Sequence, residues 1–199
     1  LKASADANLV DVIAKNTNYN NKVNERIVAF SGLKSFSTRL VNALQTTDAT
    51  AETIGNAKTF NRKMQGKKAS STQTQTDTNT PAPSTISTSQ QSYDQLIQHL
   101  AGLNSVLEAE SSYTPNETDL QVATIQAKIA DLTAKNTAVA TAYTNISNSR
   151  IARNETLYST DNGLVQTALE VKKYIKSVFG ASSPQYAQVK SIEFSKPRL

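Results

Sequence analysis

The chain has 199 residues, 38% of them hydrophobic and 6% aromatic with no Trp, and carries a net charge of +5 from 21 basic and 16 acidic side chains. That apolar share lies below the roughly 45–50% usual for globular chains counted with Gly, so the cores are thin, and 6 Gly with 5 Pro disfavour a many-turned β fold. The absence of Cys excludes disulfides, thiolate nucleophiles and Cys-based metal sites, and no stretch approaches the roughly 20 apolar residues of a membrane span.

From the N-terminus, Leu9, Val12, Asn16, Tyr19, Val23, Arg26, Phe30, Leu33, Ser37, Leu40 and Leu44 step alternately by three and four residues. That spacing is a heptad seam and predicts one long helix with a single stripe turned to partner helices. The turn Gln45-Thr-Thr-Asp48 follows, then a helix carrying Ile54, Ala57, Asn61 and Met64 and ended by Gly66. Residues 67–90 are almost free of large apolar groups and rich in Ser, Thr, Gln and Pro, the composition of a linker that cannot offset its own ordering entropy. It separates an N-terminal hairpin, 1–66, from a C-terminal block, 91–199.

In that block Tyr93, Leu96, Ile97, Leu100, Leu103 and Leu107 mark a short amphipathic helix. The run Tyr113-Thr-Pro-Asn-Glu-Thr-Asp-Leu120 predicts a helix start, with Asn116 or Thr114 as N-cap and Glu117 and Asp119 in the first turn. A second seam then passes through Val122, Ile125, Ile129, Leu132, Asn136, Val139, Tyr143, Ile146, Arg150, Arg153 and Leu157 without a slip, and predicts a helix of about 40 residues. After the turn Ser159-Thr-Asp-Asn-Gly163, a third helix places Leu164, Ala168, Val171, Ile175 and Val178 inward and closes at Gly180. Ser183-Pro184 opens a short last helix with Pro at its first position. The predicted class is all-α: an elongated bundle of long antiparallel helices with a coiled-coil seam, in which 91–199 forms a three-helix bundle followed by a short C-terminal helix.

The two blocks share a grammar. Ala-Lys-Asn-Thr occurs at 14–17 and at 134–137 with its Asn on the seam both times, and Arg39 to Gly66 spans the same interval as Arg153 to Gly180. Within those intervals Thr46, Thr53 and Lys58 recur as Thr160, Thr167 and Lys172. A diverged duplication accounts for this; two helices sharing Ala, Thr, Asn and Lys by chance is the alternative. Under duplication the first copy lacks a counterpart of helix 91–111, so its seam needs a cover from upstream, from the second copy or from a neighbouring molecule.

The run 113–120, Arg150-Ile-Ala-Arg-Asn154 with Leu157-Tyr158, Val171-Lys-Lys-Tyr-Ile-Lys-Ser-Val-Phe-Gly180, and Ser183-Pro-Gln-Tyr186 with Val189-Lys190 resemble a group of uncharacterised helical proteins of Bacteroidota-type bacteria over about residues 91–196. The resemblance implies helical architecture and a bacterial source, and it transfers no functional residue.

The chain offers little chemistry. His99 stands alone between apolar helix positions and reads as an edge or exposed residue. Glu108 and Glu110 fall on different helix faces, and no GxGxxG, GxxxxGK[ST] or GxSxG occurs. The reading is therefore non-enzymatic, with no catalytic residue, no metal site, no cofactor and no small-molecule substrate. Asn-X-Ser/Thr triplets at Asn116, Asn145 and Asn154 are what so Asn- and Thr-rich a chain produces by chance.

The polar seam residues Asn16, Asn136, Arg26, Arg150 and Arg153 are the packing-specificity candidates. A buried Asn fixes register and partner number at a cost in stability, and an Arg there must pair or reach solvent, with Glu110, Asp119 or a helix end as partners for Arg150 and Arg153. The alternative is a seam open to solvent at those levels. Residues 1–68 and 161–199 are basic and 91–160 acidic, which suits pairing within the chain or with another copy.

The leading expectation is a structural or protein-interaction protein, self-associating or binding a protein partner. The alternative is a nucleic-acid or polyanion binder using Arg62-Lys63 with Lys67-Lys68 and Lys172-Lys173 with Lys176; these lie at helix ends, where the helix dipole already favours cations, so nucleic acid is disfavoured. Thr, Asn, Ser and Gln richness points to the bacterial cell envelope or exterior ahead of the cytoplasm. The start at Leu1 leaves room for a removed leader or upstream segment.

Overall fold

The computed structural model describes residues 1–66 and 91–194. The fold is all-α: every regular element among the described residues is helical. The expected linker 67–90, with Lys67 and Lys68, lies outside those residues. In chain order the helices are α1 (Lys2–Phe30), α2 (Leu33–Leu44), α3 (Ala51–Gln65), α4 (Tyr93–Ala109), α5 (Val122–Tyr158), α6 (Leu164–Phe179) and α7 (Pro184–Lys190), with a 3-10 turn at Thr118–Leu120. They fall into two compact units, one of residues 24–138 and one joining 1–23 to 139–194, so α1 and α5 each contribute to both.

The 24–138 unit holds the larger core. Leu40, Leu44, Met64, Leu100, Leu103, Ile125 and Leu132 are fully buried there, each burial stabilising by about 1.5–3 kcal/mol before entropy is counted. α3 packs most extensively against α4 and then against α2. Local signals set these elements. Thr50 accepts from the Thr53 amide to cap α3, Ser92 accepts from the Gln95 amide to cap α4, and Gly66 ends α3 at φ 75°. The expected unbroken helix from Leu9 to Leu44 is two helices instead. Gly32, at φ 75°, takes a left-handed turn that residues with a Cβ adopt only at a cost, and the seam resumes beyond it at Leu33.

The start of α5 also differs from expectation, since neither Thr114 nor Asn116 caps it. The chain first folds back so that Tyr113 and Leu120 are buried, the Tyr113 hydroxyl donates to the Leu120 carbonyl at 2.8 Å, and α5 begins at Val122. On the α2 side of this turn the Arg39 guanidinium donates to both carboxylate oxygens of Asp119.

In the other unit, α1 and α5 meet through three contacts that run in opposite directions along the two helices. Asn8 Nδ2 donates to Thr156 Oγ1 at 2.7 Å, Ser149 Oγ donates to Asp11 Oδ2 at 2.6 Å, and the Tyr19 and Tyr143 rings lie 5.9 Å apart. Ala5, Val139, Ala142, Ile146 and Ser149 are the buried side chains. α6 ends at Gly180, φ 86°, and Ser183 caps α7 with Pro184 at its start, as the sequence predicts. No residue of α6 is buried, so the inward placement expected for Val171 and Val178 does not hold: both are more than half exposed.

Candidate functional site

Within the 24–138 unit the structure brings two of the five seam candidates together. Arg26, on the last part of α1, lays its guanidinium 4.0 Å from the centre of the Tyr93 ring and donates through Nη1 to Asn136 Oδ1 at 2.9 Å. Asn136 passes the chain on, its Nδ2 donating to Asp94 Oδ1 at 2.7 Å. Tyr93 is held edge-on by Phe30, ring centres 4.7 Å apart, and one residue along from Arg26 and Asn136 the Lys135 ammonium donates to Glu25 at 3.2 Å. Three helices are thus pinned at one level by a charge-assisted chain over an aromatic floor, with the Arg26 Nε buried and unmatched. Tyr93 was read only as an apolar stripe position of its helix, and Asp94 was not singled out. The available signal was that a seam Asn and a seam Arg each require polar partners.

The other three candidates are dispersed. Asn16 is half-buried on α1, Arg150 is exposed, and Arg153 donates to its neighbour Asn154 Oδ1 at 3.1 and 2.8 Å, not to Glu110 or Asp119. Glu110 instead accepts from the Ser112 hydroxyl and amide, which holds its carboxyl below the usual range. Burial pushes the Tyr113 phenol up to about 12, with the charges of Glu117 and Asp119 adding to it. His99 corrects the sequence reading of an exposed side chain: it is buried on α4, its Nε2 has no hydrogen-bond partner, and burial, aided by the charge of Lys63, holds the imidazole below its ordinary 6.5. Among the described residues no three His, Cys, Asp or Glu gather as metal ligands, and no helix is long and apolar enough to cross a membrane.

An open apolar surface lies on α6 and α7. Leu164, Ala168, Val171 and Ile175 of α6 face Val189 and Phe194 across a cavity of about 280 Å³. α7 is tied down beside this groove by Lys172 Nζ, which donates to the carbonyls of Lys190 at 2.6 Å and Ile192 at 3.0 Å, and by Lys176 standing 5.9 Å from the Tyr186 ring centre. Tyr174, Val178 and Phe179 continue the apolar surface into solvent. Contiguous exposed apolar side chains of this kind are what docking surfaces present. Compared with protein-family models, with curated proteins and with solved structures, the chain matches none.

Proposed function

We propose that this chain is a non-enzymatic structural protein that works by holding another protein's helix, and that the uncovered face of α6 is its docking surface. The observation that carries this reading is an amphipathic helix with Val171, Val178 and Phe179 all more than half exposed, whereas α3 buries its equivalent stripe. The Arg26–Asn136–Asp94 chain fits a device that fixes one packing arrangement, leaving α6 as the variable element. Protein is favoured over nucleic acid as the partner because Lys172 and Lys176 are engaged by α7.

The same reading treats the chain as a diverged duplication. α2 and α5 end at Leu44 and Tyr158, α3 and α6 at Gln65 and Phe179, and a Gly of positive φ follows each of the latter, all at one constant spacing in sequence. Of the covers open to the first copy, α4 of the second block packs on α3, while α6 packs on the short α7.

The docking surface is tested by fluorescence anisotropy with three labelled amphipathic helical peptides of one apolar stripe and acidic, neutral or basic polar faces. The expected result is saturable binding of at least one peptide, lost in Val171→Asp. Absence of binding by all three, together with a strictly monomeric mass by light scattering across a concentration series, overturns it.

A further inference from the structure

The turn that joins α5 to α6 contains the chain's one Asn-Gly pair, Asn162-Gly163. The fold itself requires the Gly. A Cβ at residue 163 would stand 2.5 Å from the Ser159 carbonyl oxygen and 2.6 Å from the Ser159 nitrogen, both backbone atoms just past the end of α5. Asn162 is exposed, and its side chain has none of the hydrogen bonds that hold Asn8, Asn61 and Asn136 in place. Gly163 is buried, its N–H donating to the Ser159 carbonyl at 3.1 Å and its own carbonyl accepting from the Thr167 amide at 2.9 Å to open α6. A free side-chain amide thus lies beside an unhindered backbone nitrogen whose proton is held by a hydrogen bond.

We propose that Asn162 is a site of spontaneous modification, gated by the Gly163–Ser159 hydrogen bond and released when the turn opens. The Gly163 nitrogen attacks Cγ of Asn162: the N–Cγ bond forms, the Cγ–Nδ2 bond breaks, and ammonia leaves with the proton of the attacking nitrogen, closing a five-membered succinimide. Water then opens the ring at one carbonyl or the other, giving Asp or an isoaspartyl linkage in which the chain runs through Cβ and Cγ. While the Gly163 N–H donates to Ser159, its nitrogen is kept from losing the proton and from turning toward Cγ. Opening is a local event here, because α6 buries no side chain. The two products differ in effect. Asp adds a carboxylate ahead of the α6 N-terminus, where the helix dipole favours it. The isoaspartyl form adds one backbone atom to a turn that has no room for a Cβ, so Gly163 loses Ser159 and Thr167 together and the first turn of α6 frays.

The test is peptide mapping by mass spectrometry on the full chain, incubated in heavy-oxygen water at mildly alkaline pH beside the same chain unfolded in urea. Asn162 is expected to convert ahead of every other Asn, with the heavy oxygen in both the Asp and the isoaspartyl product. Conversion in the folded chain is expected to be slower than in the unfolded one by about tenfold or more, the factor set by how rarely the turn opens. Urea below the unfolding transition raises that conversion and the exchange of the Gly163 amide in parallel. Hydrogen exchange of the aged chain is then faster in the first turn of α6 and unchanged in α3. The Asn162→Asp variant exchanges as the parent does, and an aged Asn162→Gln chain shows no change in α6. Folded conversion as fast as unfolded removes the gate, and no folded conversion while the unfolded chain reacts fully removes the site. Unchanged α6 exchange in the isoaspartyl chain removes the consequence. Any one of these three results overturns the proposal.

Discussion

Arg26 occupies a seam position that apolar side chains ordinarily fill, and its surroundings explain why the helices tolerate it. The Tyr93 face and the Asn136 carbonyl together replace much of the water that the guanidinium loses. Removing Asn136 alone strands a half-buried cation. Arg26→Met and Asn136→Ala are therefore expected to be non-additive, the double variant less destabilised than the sum of the singles by about 1 kcal/mol, as read from urea midpoints in a double-mutant cycle. His99 supplies a pH prediction. Its folded value lies below the ordinary 6.5, so the unfolded chain binds the proton first as pH falls, and stability declines on acidification through the region below 6.5. Urea unfolding at intervals from neutral pH downward is expected to show that slope, and His99→Gln is expected to flatten it near 6. Burial of His99 was not legible in the sequence, because its neighbours on α4 leave its angular position at the margin of the leucine stripe and the helix that closes over that margin comes from elsewhere in the chain.

Among the elements, α3 and α4 show how closely two helices approach where a Gly permits it. Ala at Gly102 would gain roughly 1 kcal/mol of helix propensity but collide with the Phe60 ring. Gly102→Ala is thus expected to be destabilising in the parent chain and stabilising by about 1 kcal/mol once Phe60→Ala has cleared the space, both measured by thermal or urea unfolding. Gly32→Ala is expected to cost about 1–2 kcal/mol by the same measurement, because its left-handed backbone sets the break between α1 and α2. The helical stripes themselves were readable from spacing. Ile125, Leu132, Val139 and Ile146 are buried as the heptad predicts, yet further along Ala142 and Ser149 are buried where Tyr143 and Arg150 were expected. The shift coincides with the passage of α5 from the 24–138 unit into the other at 138/139, where the side chains it packs against change. The break at Gly32 escaped notice because the hydrophobic register continues across it, and the delayed start of α5 because Tyr113 and Leu120 fold back over long-range contacts that capping rules do not encode. Of the candidate site, Arg26 and Asn136 were legible as anomalies, but their pairing joins residues 110 apart in sequence and no local pattern announces it.

At the scale of the whole chain, burial is concentrated in residues 24–138, and α6 and α7 bury no side chain at all. Hydrogen exchange is expected to follow that difference, with slow amides in α3 and α4 and exchange faster by orders of magnitude in α6 and α7. An occupant on the α6 face would slow exchange there and leave α3 unchanged. The division of the chain at 23/24 and 138/139 also bears on the order in which the molecule is made. Residues 24–138 are contiguous, so during synthesis their partners emerge one after another and the core centred on Leu40, Met64 and Leu103 closes early. Asn8, Asp11 and Tyr19 leave the ribosome before that unit but find their partners at Thr156, Ser149 and Tyr143 only after it. The front of α1 is therefore made well before its complement, so its polar partners on α5 reach it only after the 24–138 core is complete.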